Sequence, residues 1–190
     1  MDKIAMGPKT LMYPMPVVLV GANVGGKPNY MAAAWCSIAC MAPPMAAVAI
    51  NHARHTLKGI YENKAFSINV PSANHVIEAD HCGMVTGARV DKSKVFVSFY
   101  GKLKTAPMIE ECPFNLECKL FDTVDCGSHV LCVGEIVETY ADKDVVTGGM
   151  PDIKKVDPMI YSDGKYYKVG EFLTGAFSAG KAYKRKSGDL

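Results

Sequence analysis

The run from Tyr30 to Ile50 contains no charged residue, which makes it the stretch that most limits what this chain can fold into. A membrane-spanning helix needs about 20 continuous apolar residues. Pro43 and Pro44 stand in the second half of the run, and a proline inside a helix removes a hydrogen bond and clashes with the preceding turn. The run is also rich in alanine rather than leucine. We therefore predict two buried strands joined by a Pro-Pro loop, and no membrane span.

Short apolar runs separated by turn residues continue along the chain. Gly25-Gly26 is a typical hairpin turn between two apolar runs. Leu57, Ile60 and Tyr61 repeat at i, i+3 and i+4, which predicts a short helix with one buried face. The other predicted elements are strands at Val17–Val20, Asn29–Ile38, Met45–Ile50, Ala65–Val70, Asn115–Val124 and His129–Tyr140, two short strands within Asp157–Glu171, and a second short helix at Ser72–Cys82. This spacing predicts a mostly β fold with short helices and favours a closed barrel.

Composition limits the class of protein further. A length of 190 residues suits a single domain spanning residues 1–190, and a net charge of +2 argues against nucleic-acid binding. The basic tail at residues 180–190 is interpreted as solvent-exposed. The seven cysteines contain no CxxC pair, so we interpret them as reduced thiols of a cytoplasmic protein. No two histidines stand at i, i+4, and no metal site is predicted.

Two nucleotide-binding motifs are close to this sequence without matching it. The segment GANVGGKP, from Gly21 to Pro28, is one residue short of a phosphate-binding P-loop. That loop needs a hydroxyl directly after its lysine, at the start of a helix, and Pro28 stands in that place. A hairpin turn is therefore the better interpretation. No G-x-G-x-x-G occurs either, so a nicotinamide nucleotide would have to bind without a Rossmann domain.

The segment HARH, before the first predicted helix, is a candidate anion site. A helix start presents unpaired backbone N–H groups and the positive end of the helix dipole. Arg54 adds a planar charged fork suited to phosphate, and Thr56 adds a hydroxyl at the cap. The alternative is that Thr56 only caps the helix and that Arg54 is solvated, since such caps are common.

The ordered set of segments PVVLVGA, GKPNYMAAAWCS, APPMAAVAIN, RHTLKGIYENKAFSINVP and VDKSKV resembles the flavin reductase-like family of FMN-binding split barrels. Within that family it is similar to the flavoredoxins of anaerobic bacteria and archaea, from about Tyr13 to Glu171. The resemblance implies a six-stranded antiparallel Greek-key split β-barrel with FMN held non-covalently at its edge, in a homodimer whose interface completes the pocket. It implies electron transfer through FMN, with redox proteins or NAD(P)H as partners. The alternative is an NAD(P)H-dependent flavin or ferric reductase.

The resemblance also implies which residues hold the cofactor. The implied set is Asn29, Met31, Ala32, Ala33, Ala34, Trp35, Arg54, His55, Thr56, Lys92, His129 and Tyr161. The three residues from Arg54 correspond to a phosphate clamp, and the segment from Asn29 to Trp35 corresponds to the edge that faces the flavin ring. Lys92 would reach the cofactor, with His129 and Tyr161 close to the ring, and no side chain is assigned a catalytic role.

Apart from the resemblance, the residues themselves leave alternatives open. Three successive alanines would let a flat ring approach the backbone closely. They would equally well pack under a helix, with Trp35 as a core residue. Lys92 alone would be taken for a surface lysine, as most lysines are.

Overall fold

Short antiparallel strands are the main regular elements of the chain over residues 2–183, which this computed structural model describes. The strands are β1 (Met15–Pro16), β2 (Val18–Val24), β3 (Lys27–Ala33), β4 (Cys36–Met41), β5 (Pro44–Asn51), β6 (Ala65–Val70), β7 (Ser98–Phe99), β8 (Met108–Ile109), β9 (Phe114–Asp125), β10 (His129–Ala141), β11 (Val146–Thr147), β12 (Met150–Pro151), β13 (Met159–Ser162) and β14 (Lys165–Lys168). The helices are α1 (His55–Asn63), α2 (Val76–Met84) and α3 (Ile153–Val156). Short 3-10 turns lie at Ala73–His75, Lys92–Lys94, Lys143–Val145 and Ala179–Ala182.

Seven strands form one antiparallel ladder in the order β3-β2-β6-β9-β10-β5-β4. The prediction of a mostly β, antiparallel fold is confirmed. The count of six strands is not confirmed, because this ladder has seven. Three small sheets accompany it: β1-β13-β14, β7-β8 and β11-β12. Within residues 2–183, no helix combines the length and apolar character needed to cross a membrane.

The two outer strands of the ladder, β3 and β4, are neighbours in sequence. Only Ala34 and Trp35 separate them, so Ala33 and Cys36 lie at most about 11 Å apart. The sheet must therefore curl until its edges approach each other. The backbone N–H of Ala49 in β5 donates to the carbonyl of Trp35 at 2.9 Å and holds the link against the sheet.

This link corrects two sequence predictions. Asn29–Ile38 is not one strand, because β3 ends at Ala33 and β4 begins at Cys36. The charge-free run does not form only buried strands either. Ser37, Ile38 and Ala39 in β4 are exposed, since β4 is an edge strand. In an edge strand, the absence of charged residues does not imply burial, because apolar side chains there can stay exposed and available to a partner.

Two clusters of buried side chains hold the helices against the sheet. Leu57 and Ile60 of α1 pack into the cluster that fills the inside of the ladder, which also includes Phe66 and Ile68. Gly59 faces the backbone of the β2–β3 hairpin so closely that an added Cβ would collide with the carbonyl oxygen of Asn23. Helix α1 therefore has its position fixed by main chain as well as by side chains.

The second cluster places α2 on the outside of the sheet. Ala79 and Cys82 of α2 pack with Leu19 of β2 and Tyr30 of β3. The two helices thus approach β3 from different sides, and the C-terminal end of α2 comes near the start of α1. That convergence positions the candidate site.

All seven cysteines are free thiols. Burial raises the pKa of the Cys36, Cys82 and Cys132 thiols to about 11. Burial also raises the pKa of Cys112 and Cys118. Of the predicted basic tail, residues 184–190 lie outside the described residues.

Candidate functional site

Helix α1 begins at His55, the last residue of the HARH segment, and Arg54 is its N-cap residue. Within residues 2–183, this helix start has no side-chain cap hydrogen bond. The expectation that Thr56 caps the helix is therefore wrong. Thr56 lies inside the first turn, where its buried Oγ1 accepts a 2.7 Å hydrogen bond from Nδ2 of Asn29. The uncapped helix start fits an anion better than a side-chain cap would have allowed.

Arg54 connects this loop to the end of α2. Its Nη1 donates to the carbonyl oxygen of Gly83 at 3.0 Å. The loop itself is shaped by Asn51, whose Oδ1 accepts from the N–H of Ala53 at 3.0 Å. One guanidinium edge is thus used for positioning, and an arginine has further N–H donors with which to bind an anion.

Lys92 is far more buried than a lysine usually is. It is only 3% exposed, and its Nζ donates to the carbonyl oxygens of Tyr30 at 2.9 Å and Cys82 at 2.8 Å. Burial lowers the pKa of Lys92, with a smaller effect in the same direction from Arg54. An ammonium has three donors, and two are used here, so one remains for a ligand. The surface-lysine alternative is excluded by this burial.

The small side chains and aromatic rings predicted to face a flat ligand do lie together. Ala32, Ala33 and Ala34 are half-buried, and the Trp35 ring lies 4.7 Å from the His129 ring, centroid to centroid, at 39°. Trp35 is 41% exposed, so the alternative that it is a core residue is wrong. The ladder explains the position of His129, because it pairs with Asn51 at the end of β5 and so stands beside the HARH loop.

A second aromatic group comes from the small sheet β1-β13-β14. Tyr161 packs edge-on against Tyr166, with 6.2 Å between the ring centroids. The Tyr166 hydroxyl donates to Oδ1 of Asp80 on α2 at 2.7 Å. Burial is the main cause that raises the Tyr166 pKa to about 12, and Asp80 adds to it. This contact fastens β14 over α2, beside the C-terminal end of that helix.

These groups line one cavity of about 660 Å³, here called the main cleft. Every residue of the predicted set except Asn29 lines it. Asn29 lines an adjoining cavity of about 310 Å³, here called the side cavity, and reaches the main cleft only through its bond to Thr56. A volume of about 660 Å³ is within the range of about 300–1,000 Å³ that is usual for small-molecule sites.

Half of the residues that line the main cleft were not predicted from the sequence. The residues of the main cleft that were not predicted are Val17, Ala49, Asn51, Ala53, Asp80, Gly83, Met84, Val85, Thr86, Gly87 and Tyr166. Five of them form the continuous segment from Gly83 to Gly87, where α2 ends. Two glycines and a threonine around the end of a helix are a weak signal of a ligand-binding turn, and nothing in their spacing connects them to Arg54.

The site can therefore hold an anion and a flat apolar group in the same cleft. The anion would meet the uncapped start of α1, Arg54 and the ammonium of Lys92. A flat group would meet three alanines and exposed aromatic rings. No group of three or more His, Cys, Asp or Glu residues within 2–183 is arranged to hold a metal ion.

Comparison with known proteins adds to this geometry. Residues 10–170 match a protein family described as the flavin reductase like domain. The structure is similar to a flavoredoxin from Methanosarcina acetivorans, with a TM-score of 0.93 and 44% identity over 95% of this chain and 98% of that one. It is similar to the flavoredoxin of Desulfovibrio vulgaris (Miyazaki F), with a TM-score of 0.88 and 40% identity over 94% and 100%. A structure described as an FMN-binding domain of a flavin reductase-like enzyme from Shewanella baltica OS155 matches with a TM-score of 0.74 and 25% identity over 84% and 88%.

Proposed function

This chain belongs to the flavin reductase-like domain family, and from that membership we propose that it binds FMN non-covalently and transfers electrons through it, as a flavoredoxin-like redox protein. The observation that carries the proposal is the main cleft, where cationic groups and a row of small residues line one cavity. FMN combines a phosphate with a flat three-ring system, so both features have a counterpart in it.

The phosphate of FMN would bind at the start of α1. In the described part of the chain no side chain caps that helix, and Arg54 lies at its N-cap position. Backbone N–H groups at a helix start together with a guanidinium are a favourable arrangement for phosphate. The hydroxyl of Thr56 is held by Asn29, so its role is to fix the first turn.

The ring would lie against Ala32, Ala33 and Ala34, whose short side chains leave the main chain of β3 accessible. Trp35 and His129 form the adjoining wall. The buried ammonium of Lys92 places a fixed positive charge in the lining, and a positive charge favours any negative charge that develops nearby. When bound, FMN supplies the reversible uptake of electrons, and these residues bind it, orient it and set its electrostatic surroundings.

The test of this function uses the protein purified without added flavin. We expect it to be yellow, to release FMN on denaturation, and to keep its colour when NADH or NADPH is added anaerobically, while a chemical reductant bleaches it. Protein that neither carries FMN nor binds it when supplied contradicts the proposal. Rapid bleaching by either nucleotide contradicts the carrier function and supports an NAD(P)H-dependent reductase.

Replacing Arg54 with alanine is expected to weaken FMN binding about three- to tenfold. The effect is moderate because Arg54 is exposed and water screens its charge. The measurement is a fluorescence titration of flavin-free protein. Lys58→Ala is the matched control, since Lys58 is an exposed cation one turn further along α1 that pairs with Glu62. Equal loss in both variants would mean that Arg54 acts only through net charge.

We also propose a homodimer, in the cytoplasm, with redox proteins or NAD(P)H as partners. The C-terminal segment after β14 supports the dimer, because Leu173 is 93% exposed and Phe177 is 99% exposed. A contiguous exposed apolar patch marks an interaction surface, and a dimer interface would cover these side chains. Light scattering is expected to give twice the mass of one chain, and a single-chain mass would contradict the dimer.

A further inference from the structure

Asp80 is the one carboxylate among the described residues that line the main cleft. Arg54 and Lys92 line the same cleft, and both suit an anionic ligand. A carboxylate in such a lining works against the binding of a phosphate, because like charges repel each other. Its role must therefore be sought in the protein contact that it makes, which is the 2.7 Å hydrogen bond from the Tyr166 hydroxyl to its Oδ1.

Two separate parts of the fold meet at this contact. Asp80 belongs to α2, which packs on the seven-stranded ladder. Tyr166 belongs to β14, the outer strand of the small sheet β1-β13-β14. The other side of that sheet is fastened by main chain, since β13 pairs with β1 and the N–H of Val17 donates to the carbonyl oxygen of Met159 at 3.2 Å. The small sheet is thus anchored through β1 and β13, and β14 is its free edge.

Strand β14 has few attachments of its own. All four of its residues are exposed, and within residues 2–183 its main chain pairs with β13. Its side chains donate two hydrogen bonds in the described part of the chain, from Tyr166 to Asp80 and from Lys168 to Asp157, each of 2.7 Å. Asp157 lies two residues before β13, so the second bond does not reach α2. The first is the side-chain bond that fastens β14 to α2.

Movement of β14 would change the lining of the cleft. Tyr161 and Tyr166 are direct partners across β13 and β14, and both rings line the main cleft. Segments with few buried contacts and exposed backbone open locally at a low cost in free energy. An opening of β14 away from α2 would therefore withdraw the Tyr166 ring from the cleft and leave the Tyr161 ring without its neighbour.

We propose that the Asp80–Tyr166 hydrogen bond is a gate contact that slows the exchange of FMN between the main cleft and solvent, with Asp80 as a positioning residue that acts through Tyr166. The inference rests on the proposed function, because it concerns the same cleft. A carrier must keep its flavin through many cycles of reduction and oxidation. A protein that uses flavin as a substrate must release it in each cycle, so the residence time of FMN separates the two functions.

The gate contact has a kinetic signature. It joins two protein groups and includes no atom of the ligand. An equilibrium shifts only through an interaction that differs between the free and the bound state. Breaking the contact should therefore raise the rates of FMN entry and release together and leave Kd nearly unchanged. A residue that binds FMN directly would instead change the release rate and Kd together.

The experiment measures entry by the change of flavin fluorescence in stopped flow, and release by replacement of bound FMN with excess isotope-labelled FMN. Tyr166→Phe keeps the ring and removes the donor. We expect both rates to rise at least about fivefold in this variant, with Kd within about twofold of wild type. Tyr167→Phe is the matched control, because Tyr167 is the next residue of β14, exposed and outside both cavities. It should change neither rate.

The acceptor side of the contact is tested with two variants of Asp80. Asp80→Ala removes the acceptor and should accelerate exchange as Tyr166→Phe does. Asp80→Asn removes the charge but keeps an acceptor oxygen, so its rates should lie within about threefold of wild type. Tyr166→Phe combined with Asp80→Ala should be no faster than the faster single variant, because both changes break the same contact. Equal acceleration by Asp80→Asn and Asp80→Ala would mean that charge controls exchange, which overturns the gate contact.

Two further results overturn the inference and leave the proposed function intact. One is a Tyr166→Phe protein that exchanges FMN at the wild-type rates. The other is a Tyr166→Phe protein with faster release, unchanged entry and a Kd weakened in proportion, since Tyr166 would then act as a direct ligand of FMN. Wild-type protein that does not bind FMN at all overturns the proposed function, and the gate contact with it.

Discussion

Replacing Lys92 with methionine is expected to lower the free energy of unfolding by about 2–4 kcal/mol and to weaken FMN binding as well. Methionine retains the apolar stem but leaves the carbonyl oxygens of Tyr30 and Cys82 without their donor. A buried acceptor that loses its partner costs about 1–3 kcal/mol. These two bonds join β3 to the end of α2, so both walls of the main cleft lose a common support.

Denaturant unfolding of flavin-free protein measures this effect apart from the cofactor. Lys94→Met is the control, because Lys94 is an exposed lysine two residues away in the same turn. Its change should be within about 0.5 kcal/mol. A Lys92→Met protein as stable as the control would mean that the two carbonyl bonds contribute little, and that Lys92 is retained for the ligand alone.

Replacing Gly59 with alanine is expected to destabilise the protein by about 1–3 kcal/mol, as overpacking does. Helix propensity acts in the opposite direction, since alanine is favoured over glycine by about 0.8–1.0 kcal/mol within a helix. Steric contact should decide the sign here. The new Cβ would collide with the carbonyl oxygen of Asn23 and lie 2.9 Å from Cγ2 of Val24. A backbone carbonyl cannot rotate away as a flexible side chain can, so α1 must move.

Movement of α1 would displace the residues at its start, so the Gly59→Ala protein should also bind FMN more weakly. Gly83→Ala in flavin-free protein is the stability control. It makes the same chemical change in α2, where the nearest atom to the new Cβ is the Cβ of Ala32 at 3.2 Å. Its effect should be within about 1 kcal/mol. A Gly59→Ala protein more stable than wild type would show that helix propensity wins and that α1 is not held by the hairpin.

Much of the fold could be predicted because the strands carry regular patterns. The alternation in β9 and β10, the Gly25-Gly26 turn and the helical spacing in α1 each depend on neighbouring residues. The break at Ala34-Trp35 could not be predicted in this way. Both flanking segments are apolar, and only the curl of the whole sheet decides where one strand ends and the other begins.

In the candidate site too, features set by neighbouring residues could be predicted, and features set by long-range contacts could not. Arg54 and the helix start could be named as candidates because consecutive residues carry that chemistry. The burial of Lys92 could not be read from its neighbours, since it depends on carbonyl groups far away in sequence, at Tyr30 and Cys82. The segment from Gly83 to Gly87 was missed for a related reason: its contribution depends on where α2 ends against the sheet. Long-range placement decides these features, and a single sequence carries no direct signal for it.

The burial of the thiols bears on how the protein tolerates oxygen. Peroxide attacks a cysteine as its thiolate, so a raised pKa slows the damage. At a pKa of about 11, the thiol of Cys36, next to Trp35 in the chain, is ionised in about one molecule in ten thousand at neutral pH. Cys126, by contrast, is exposed at the turn between β9 and β10. Among the thiols, oxidation in air should therefore begin at Cys126, at the tip of that hairpin, and reach Cys36 later.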